Sequence, residues 1–166
     1  LYTEPDIVFR ELISNATDAI EKLSLLSDKD PSLPGVTGNI TVTLDTDHNQ
    51  LIISDNGIGM DMVEVDKYIN HIAFSGAEDY ISQNSQSGKD SIIGHFGIGF
   101  YSAFMMADHV AIETISYKDG ASPVRWDCTS DMSFEIKECA KTKTGTDIIL
   151  YLNENNPYLK NPELAY

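Results

Sequence analysis

Apolar residues at Phe9, Leu12, Ile13, Ala16, Ala19, Ile20 and Leu23 fall at the i, i+3, i+4, i+7 spacing of a helix with one buried face. Glu11, Asn15, Asp18 and Lys22 recur at the same period and draw a polar stripe along that helix. Thr3-Glu4-Pro5-Asp6 suits its start, with a capping hydroxyl, a proline in the first turn and an acid at the positive end. The helix is expected to reach about Leu26, where breaker residues fill positions 27–35. Residues 39–44 and 50–54 read as strands joined by a polar loop, and residues 62–73 return to helical spacing. A polar, low-complexity run at 82–91 comes next, followed by a short helix at 100–106. Strands are expected near 110–116, 124–128, 133–136 and 147–152, with turns at 119–120 and 141–145. Helices come first and closely linked strands dominate the end. The pattern predicts an α+β domain of two layers, its sheet a largely antiparallel meander.

Composition narrows the partners more than the fold. The 166 residues suit one domain with a real core. Lys plus Arg is 11 against 26 Asp plus Glu, a net charge of −15. That charge disfavours unaided binding to nucleic acid or anionic lipid, and no segment is apolar enough to span a membrane. It leaves open a nucleotide held through backbone amides and a metal ion. Cys128 and Cys139 have no metal-ligand spacing with the four histidines, so free thiols in a reducing compartment are expected. The chain starts at Leu1 without a methionine and stops at Tyr166 without a natural ending, so both ends are expected to be cut.

Four glycine-bearing or polar segments carry the candidate chemistry: Glu11 to Ala19, Asp55-Asn-Gly57-Ile-Gly59-Met60, Gly94-His-Phe-Gly97-Ile-Gly99-Phe100, and Gly145-Thr146. Each alone fits a blander structure, a solvated helix face or an ordinary turn. Asp55 ends a predicted strand, and the glycines after it let backbone approach a flat ring. A carboxylate there accepts from an exocyclic amine and so prefers adenine to guanine, which offers an acceptor at that edge. The turn at 94–99, ahead of a helix, can aim N–H groups at phosphate. No Gly-Lys-Ser/Thr follows it, so it is not a Walker loop. Asn15 offers an uncharged oxygen suited to a magnesium shell made mostly of water and phosphate. Glu11, one helical turn earlier, can orient or deprotonate a water. Thr146 can reach a base edge or a water beside it. The four histidines, His95 included, read as ordinary polar or packing residues. Trp126 reads as core.

Taken together, these four segments resemble the motifs of the Bergerat-fold ATPases, the superfamily of DNA gyrase B, heat-shock protein 90, histidine kinases and mismatch-repair MutL. Phe9-Arg10-Glu11-Leu-Ile-Ser-Asn15-Ala, Ser75-Gly76 and Ile93 to Ala103 resemble the heat-shock protein 90 chaperones closely, over residues 1 to about 152. The resemblance implies an N-terminal nucleotide-binding domain of bacterial high-temperature protein G type, one unit over 1–166. Its fold would be a two-layer sandwich of helices on a largely antiparallel mixed sheet. ATP or ADP would bind with Mg2+, and hydrolysis would drive a chaperone cycle.

By the same resemblance Asp55 would take the adenine amine, with Gly59 and Thr146 assisting. Asp18, Ala19 and Met60 would line the pocket. Asn15 would ligate magnesium, and Glu11 would be the hydrolytic carboxylate. Gly97, Ile98, Gly99 and Phe100 would hold phosphate, under a lid over residues 75–94. Client proteins, ansamycin or resorcylic-lactone inhibitors and a homodimeric longer protein are implied partners. A cytoplasmic site is favoured over a mitochondrial one. Tyr68, Asn70 and Phe74 stand where many members carry Asn, Gly and Lys, and His95 where a glutamine is common, which puts some phosphate contacts in doubt. Two alternatives stay open: a nucleotide-gated binding module with negligible hydrolysis, and another ATPase of the superfamily.

Overall fold

The computed structural model describes residues 4–33, 35, 37–70, 103–131, 133–153 and 156. Helix α1 spans Glu4–Lys29, three residues past the expected end. β1 (Ile40–Asp45) and β2 (Gln50–Asp55) form a hairpin. A short α2 (Met62–Glu64) carries a capping box between Asp61 and Glu64, and a π-helical turn, Val65–Asn70, continues it. The helix expected over 62–73 is thus split in two as far as it is described, and residues 71–73 lie outside the described residues. A 3-10 turn, Ala103–Met105, occupies the described part of the helix expected at 100–106. β3 (Ala107–Ile115), β4 (Val124–Thr129), β5 (Phe134–Glu138) and β6 (Gly145–Leu152) complete the described elements.

Among the described residues all five strand pairings are antiparallel, in the order β1-β2-β6-β3-β4-β5. The expected α+β, two-layer class holds. The simple meander does not, because the last strand enters the middle of the sheet and joins the β1-β2 hairpin to the β3-β4-β5 meander. The sequence of β6 explains this. Ile148, Ile149, Leu150 and Leu152 are all buried, so both of its faces are covered, and a strand of that kind belongs at the centre.

Val8, Leu12, Ala16 and Leu23 bury one face of α1, and Val8 and Leu12 join a core built from Leu51, Ile53, Val110, Ile112, Trp126, Ile148 and Leu150. Trp126 is fully buried, as its alternation with Val124 predicts. Ile13, which the spacing placed on the buried stripe, is 38% exposed. Leu12, Ala16 and Leu23 of the expected stripe are buried and Val8 joins them, so the buried face is offset toward Val8 and Ile13 falls at its margin. Both cysteines are free.

The offset separates two leucine-sized neighbours. Leu12→Ala should cost about 2–5 kcal/mol, as expected for a fully enclosed side chain, and Ile13→Ala less than about 1 kcal/mol. Urea unfolding of the two variants checks this. Equal losses would contradict the observed helix orientation.

Candidate nucleotide site

The register of the sheet places one row of side chains across five strands on the face that carries α1. It runs Ile40, Asp55, Thr146, Thr114, Val124. Two of these are apolar packing residues, and the three between them are polar groups on a face otherwise filled by core. Asp55 ends β2, and its Oδ1 accepts from the Gly57 amide at 2.8 Å. Burial raises its pKa to about 6, against the pull of the Gly57 and Thr146 backbone amides and of Lys141, with Asp147 adding to the rise. Lys141 is itself engaged by Asp147 at 3.0 Å. Asp55 is therefore a carboxylate held in a partly desolvated place with little cationic compensation, the condition in which a donor from a ligand is most valuable.

The loop after Asp55 is wedged between the layers. Ile58 donates its N–H to the Ala19 carbonyl at 3.0 Å and accepts from the Tyr117 amide, beyond β3, at 2.9 Å. A Cβ at Gly57 would lie 2.5 Å from the carbonyl carbon of Ala19, so only glycine lets the loop sit on the helix. Gly59 has a φ of 64°, and a Cβ there would come within 1.7 Å of the Ile115 carbonyl oxygen. Asn56 braces the same loop from outside, donating to the Thr37 carbonyl at 2.7 Å and accepting from the Asn39 amide at 2.8 Å. Met60 N–H donates to Thr114 Oγ1 at 2.9 Å.

Because the loop sits on Ala19, the polar stripe of α1 begins beside Asp55. Asn15 lies one turn before Ala19 and Glu11 two turns before, about 6 Å per step along the axis. Glu11 and Asn15 are half-buried, and Asp18 is exposed. The Asn15 Nδ2 is buried with no hydrogen-bond partner among the described residues. A buried amide in that condition is suited to a polar ligand. Among the described residues no cluster of three or more His, Cys, Asp or Glu is placed to hold a metal. Asn15 as a lone neutral oxygen fits a magnesium ion that arrives with phosphate oxygens and water.

Residues 2–147 match a family model described as histidine kinase-, DNA gyrase B-, and HSP90-like ATPase. The chain belongs to that family. Within the HSP90-like part of its relatives, chaperone protein HtpG of Bacteroides fragilis is 45% identical over 155 residues, covering 93% of this chain and 22% of the relative. HtpG of Porphyromonas gingivalis is 40% identical over 167 residues, 99% of this chain and 24% of the relative. HtpG of Fusobacterium nucleatum is 43% identical over 163 residues, 95% and 26%. The chain thus spans about a quarter of the length of these relatives.

Of the residues singled out for this HSP90-like family, Asp55, Gly59, Met60 and Thr146 form one connected end of the sheet, with Ala19 packed against it and Asn15 and Glu11 leading away. Gly97, Ile98, Gly99, Phe100 and the lid at 75–94 lie outside the described residues, as do Phe74, His95 and the side chains of Tyr68 and Asn70. Sequence reading missed Thr114. Its signal was available, since Val110, Ile112 and Thr114 alternate onto the core face of β3 and only the last carries a hydroxyl. It also missed a groove of 460 Å³ on the opposite face of the sheet, lined by His109, Arg125, Asp127 and Lys137 among others. Arg125 there pairs with Glu113 at 3.0 Å and with Asp127 at 2.9 Å.

The folded chain holds the Asp55 proton more tightly than the unfolded chain, whose carboxyl titrates near 3.8. Stability from this group is present at low pH and is lost as pH rises through about 6. Asp55→Asn should therefore leave stability unchanged or raise it by up to about 2 kcal/mol at pH 8, with the gain vanishing by pH 4. Thermal melts at both pH values check this. A gain confined to pH 4 would contradict the assigned cause.

Proposed function

We propose that the chain binds adenine nucleotide with magnesium and hydrolyses ATP, and that in a longer protein of HtpG type this drives a chaperone cycle on client proteins. The observation that carries the reading is the desolvated Asp55 carboxylate, set beside Thr146 by strand register and beside the α1 stripe by the Gly57–Ala19 contact. At that end Asp55 accepts from the adenine amine, with Thr146, Gly59 and Met60 around the base and Asp18 and Ala19 along the wall. Ribose and phosphates extend along the stripe. Asn15 would hold a magnesium ion through its amide oxygen, and the ion would neutralise phosphate charge. Glu11 aligns the attacking water and accepts its proton. Gly97 to Phe100 for the phosphates and residues 75–94 as a lid are assigned on family resemblance. The chaperone names of the relatives support the chaperone context; a cytoplasmic setting and a homodimeric longer protein are assigned on family resemblance. An ansamycin or resorcylic lactone is expected to compete with nucleotide.

Calorimetric titration with ADP and GDP, each with and without magnesium, tests the binding half. ADP should bind more tightly with magnesium, and GDP should not compete. Glu11→Ala should keep ADP affinity within about two-fold and lower ATP turnover by roughly 100-fold or more, the contribution expected of a positioned base. Undiminished turnover in that variant would move the base elsewhere. Absent turnover in the unchanged chain, with ADP still bound, would favour a nucleotide-gated binding module.

A further inference from the structure

We infer that Thr114 is a specificity-determining positioning residue: it holds the Thr146 hydroxyl proton inside the sheet, so that Thr146 and Asp55 both face a bound base as acceptors. This rests on the reading of Asp55 as the group that recognises the base.

Thr114 is completely buried, and its hydroxyl has one hydrogen and two lone pairs. Three partners surround it: the Met60 amide nitrogen at 2.9 Å, the Gly145 carbonyl oxygen at 3.1 Å and Thr146 Oγ1 at 2.9 Å. The Met60 amide can only donate, and the Gly145 carbonyl can only accept. The single Thr114 proton therefore points at Gly145, and one lone pair is occupied by Met60. The remaining lone pair accepts the Thr146 proton. If Thr114 gave its proton to Thr146 instead, two oxygens would face each other at 3.1 Å without a hydrogen between them. The hydroxyl chain therefore runs in one direction, from Thr146 to Thr114 to the Gly145 carbonyl.

The consequence falls on Thr146, which is paired with Asp55 across β2 and β6. Its only proton is spent, so the oxygen offers lone pairs alone. An ionised Asp55 likewise only accepts. Two acceptors side by side complement a base edge that carries an amine, or a water that donates, and oppose a base carbonyl. Thr114 thus acts at a distance, because it touches no ligand and yet decides which way Thr146 hydrogen-bonds. The same hydroxyl fixes Met60 through its amide, so base wall and base reader share one anchor.

Replacing Thr114 by valine keeps the shape and removes the proton acceptor. The Thr146 proton is then free to turn toward Asp55 or toward a base carbonyl. The test measures ADP and inosine diphosphate affinity, the second nucleotide having a carbonyl in place of the amine. It compares the unchanged chain with Thr114→Val and Thr114→Ser. Thr114→Val should weaken ADP about ten-fold, the order of one buried hydrogen bond, and leave inosine diphosphate equal or improved, so that the preference collapses. Thr114→Ser should restore both affinities. If the valine variant does not fold, Thr114→Cys, whose thiol accepts poorly, should show the same loss of preference. Parallel weakening of both nucleotides, or failure of serine to restore the preference, would overturn the inference and leave Thr114 a packing residue. If the unchanged chain binds no ADP, the base-recognition reading itself falls, and that result is distinguishable from an unaltered preference.

Discussion

Ile58 gives both of its backbone groups to neighbours, its N–H to Ala19 on the helix and its C=O to the Tyr117 amide beyond β3. That pair of bonds locks the loop after Asp55 between the two layers. The helix stripe and the end of the sheet come from distant parts of the sequence, and nothing local in either would align them. With the loop seated, Ala19 lies against Gly57, and Asn15 and Glu11 follow at successive turns of α1. Most of the proposed chemistry inherits its geometry from this junction. It explains why small residues occupy it, since the approach of loop to helix leaves no space for a side chain at Gly57.

The junction also explains how a costly group persists. Asp55 is placed where burial works against its charge, with amide donors from Gly57 and Thr146 offsetting only part of the loss. A fold selected for stability alone would put an amide or an apolar residue there. The carboxylate is retained at the cost of stability near neutral pH, and a ligand amine would complete what the fold leaves undone. Arg125 on the other face shows the contrast. Its guanidinium makes four hydrogen bonds, two to Asp127 and one each to Glu113 and Tyr151, so its charge is compensated within the fold.

Much of this could be read from the chain. The 3.6-residue period of α1 and the alternation in β1, β2 and β4 are local signals, and Asp55 stood out in the sequence as a candidate base-recognition group because it ends a strand before two glycines. The insertion of β6 between β2 and β3 was not legible, because strand order is set by which faces find cover in three dimensions. The apolar run of β6, buried on both faces, was the available hint. The stripe on α1 was legible at Leu12, Ala16 and Leu23, but Val8 was left out and Ile13 included, because only packing against the sheet decides which margin of the helix is covered. Thr114 escaped because a threonine in a strand is unremarkable until its register with Thr146 and its distance to Met60 are known.

The central claim is that the Asp55 end of the sheet, together with the α1 stripe, receives an adenine nucleotide. The most direct measurement is a map of backbone amide shifts as magnesium and ADP are added to the isotope-labelled chain. The account predicts saturable shifts concentrated at Asn15, Ala19, Gly57, Gly59, Met60 and Thr146, with the amides around Arg125 and Lys137 unmoved. Shifts concentrated at the groove of His109, Arg125 and Lys137, or none at Gly57 and Thr146, would contradict it.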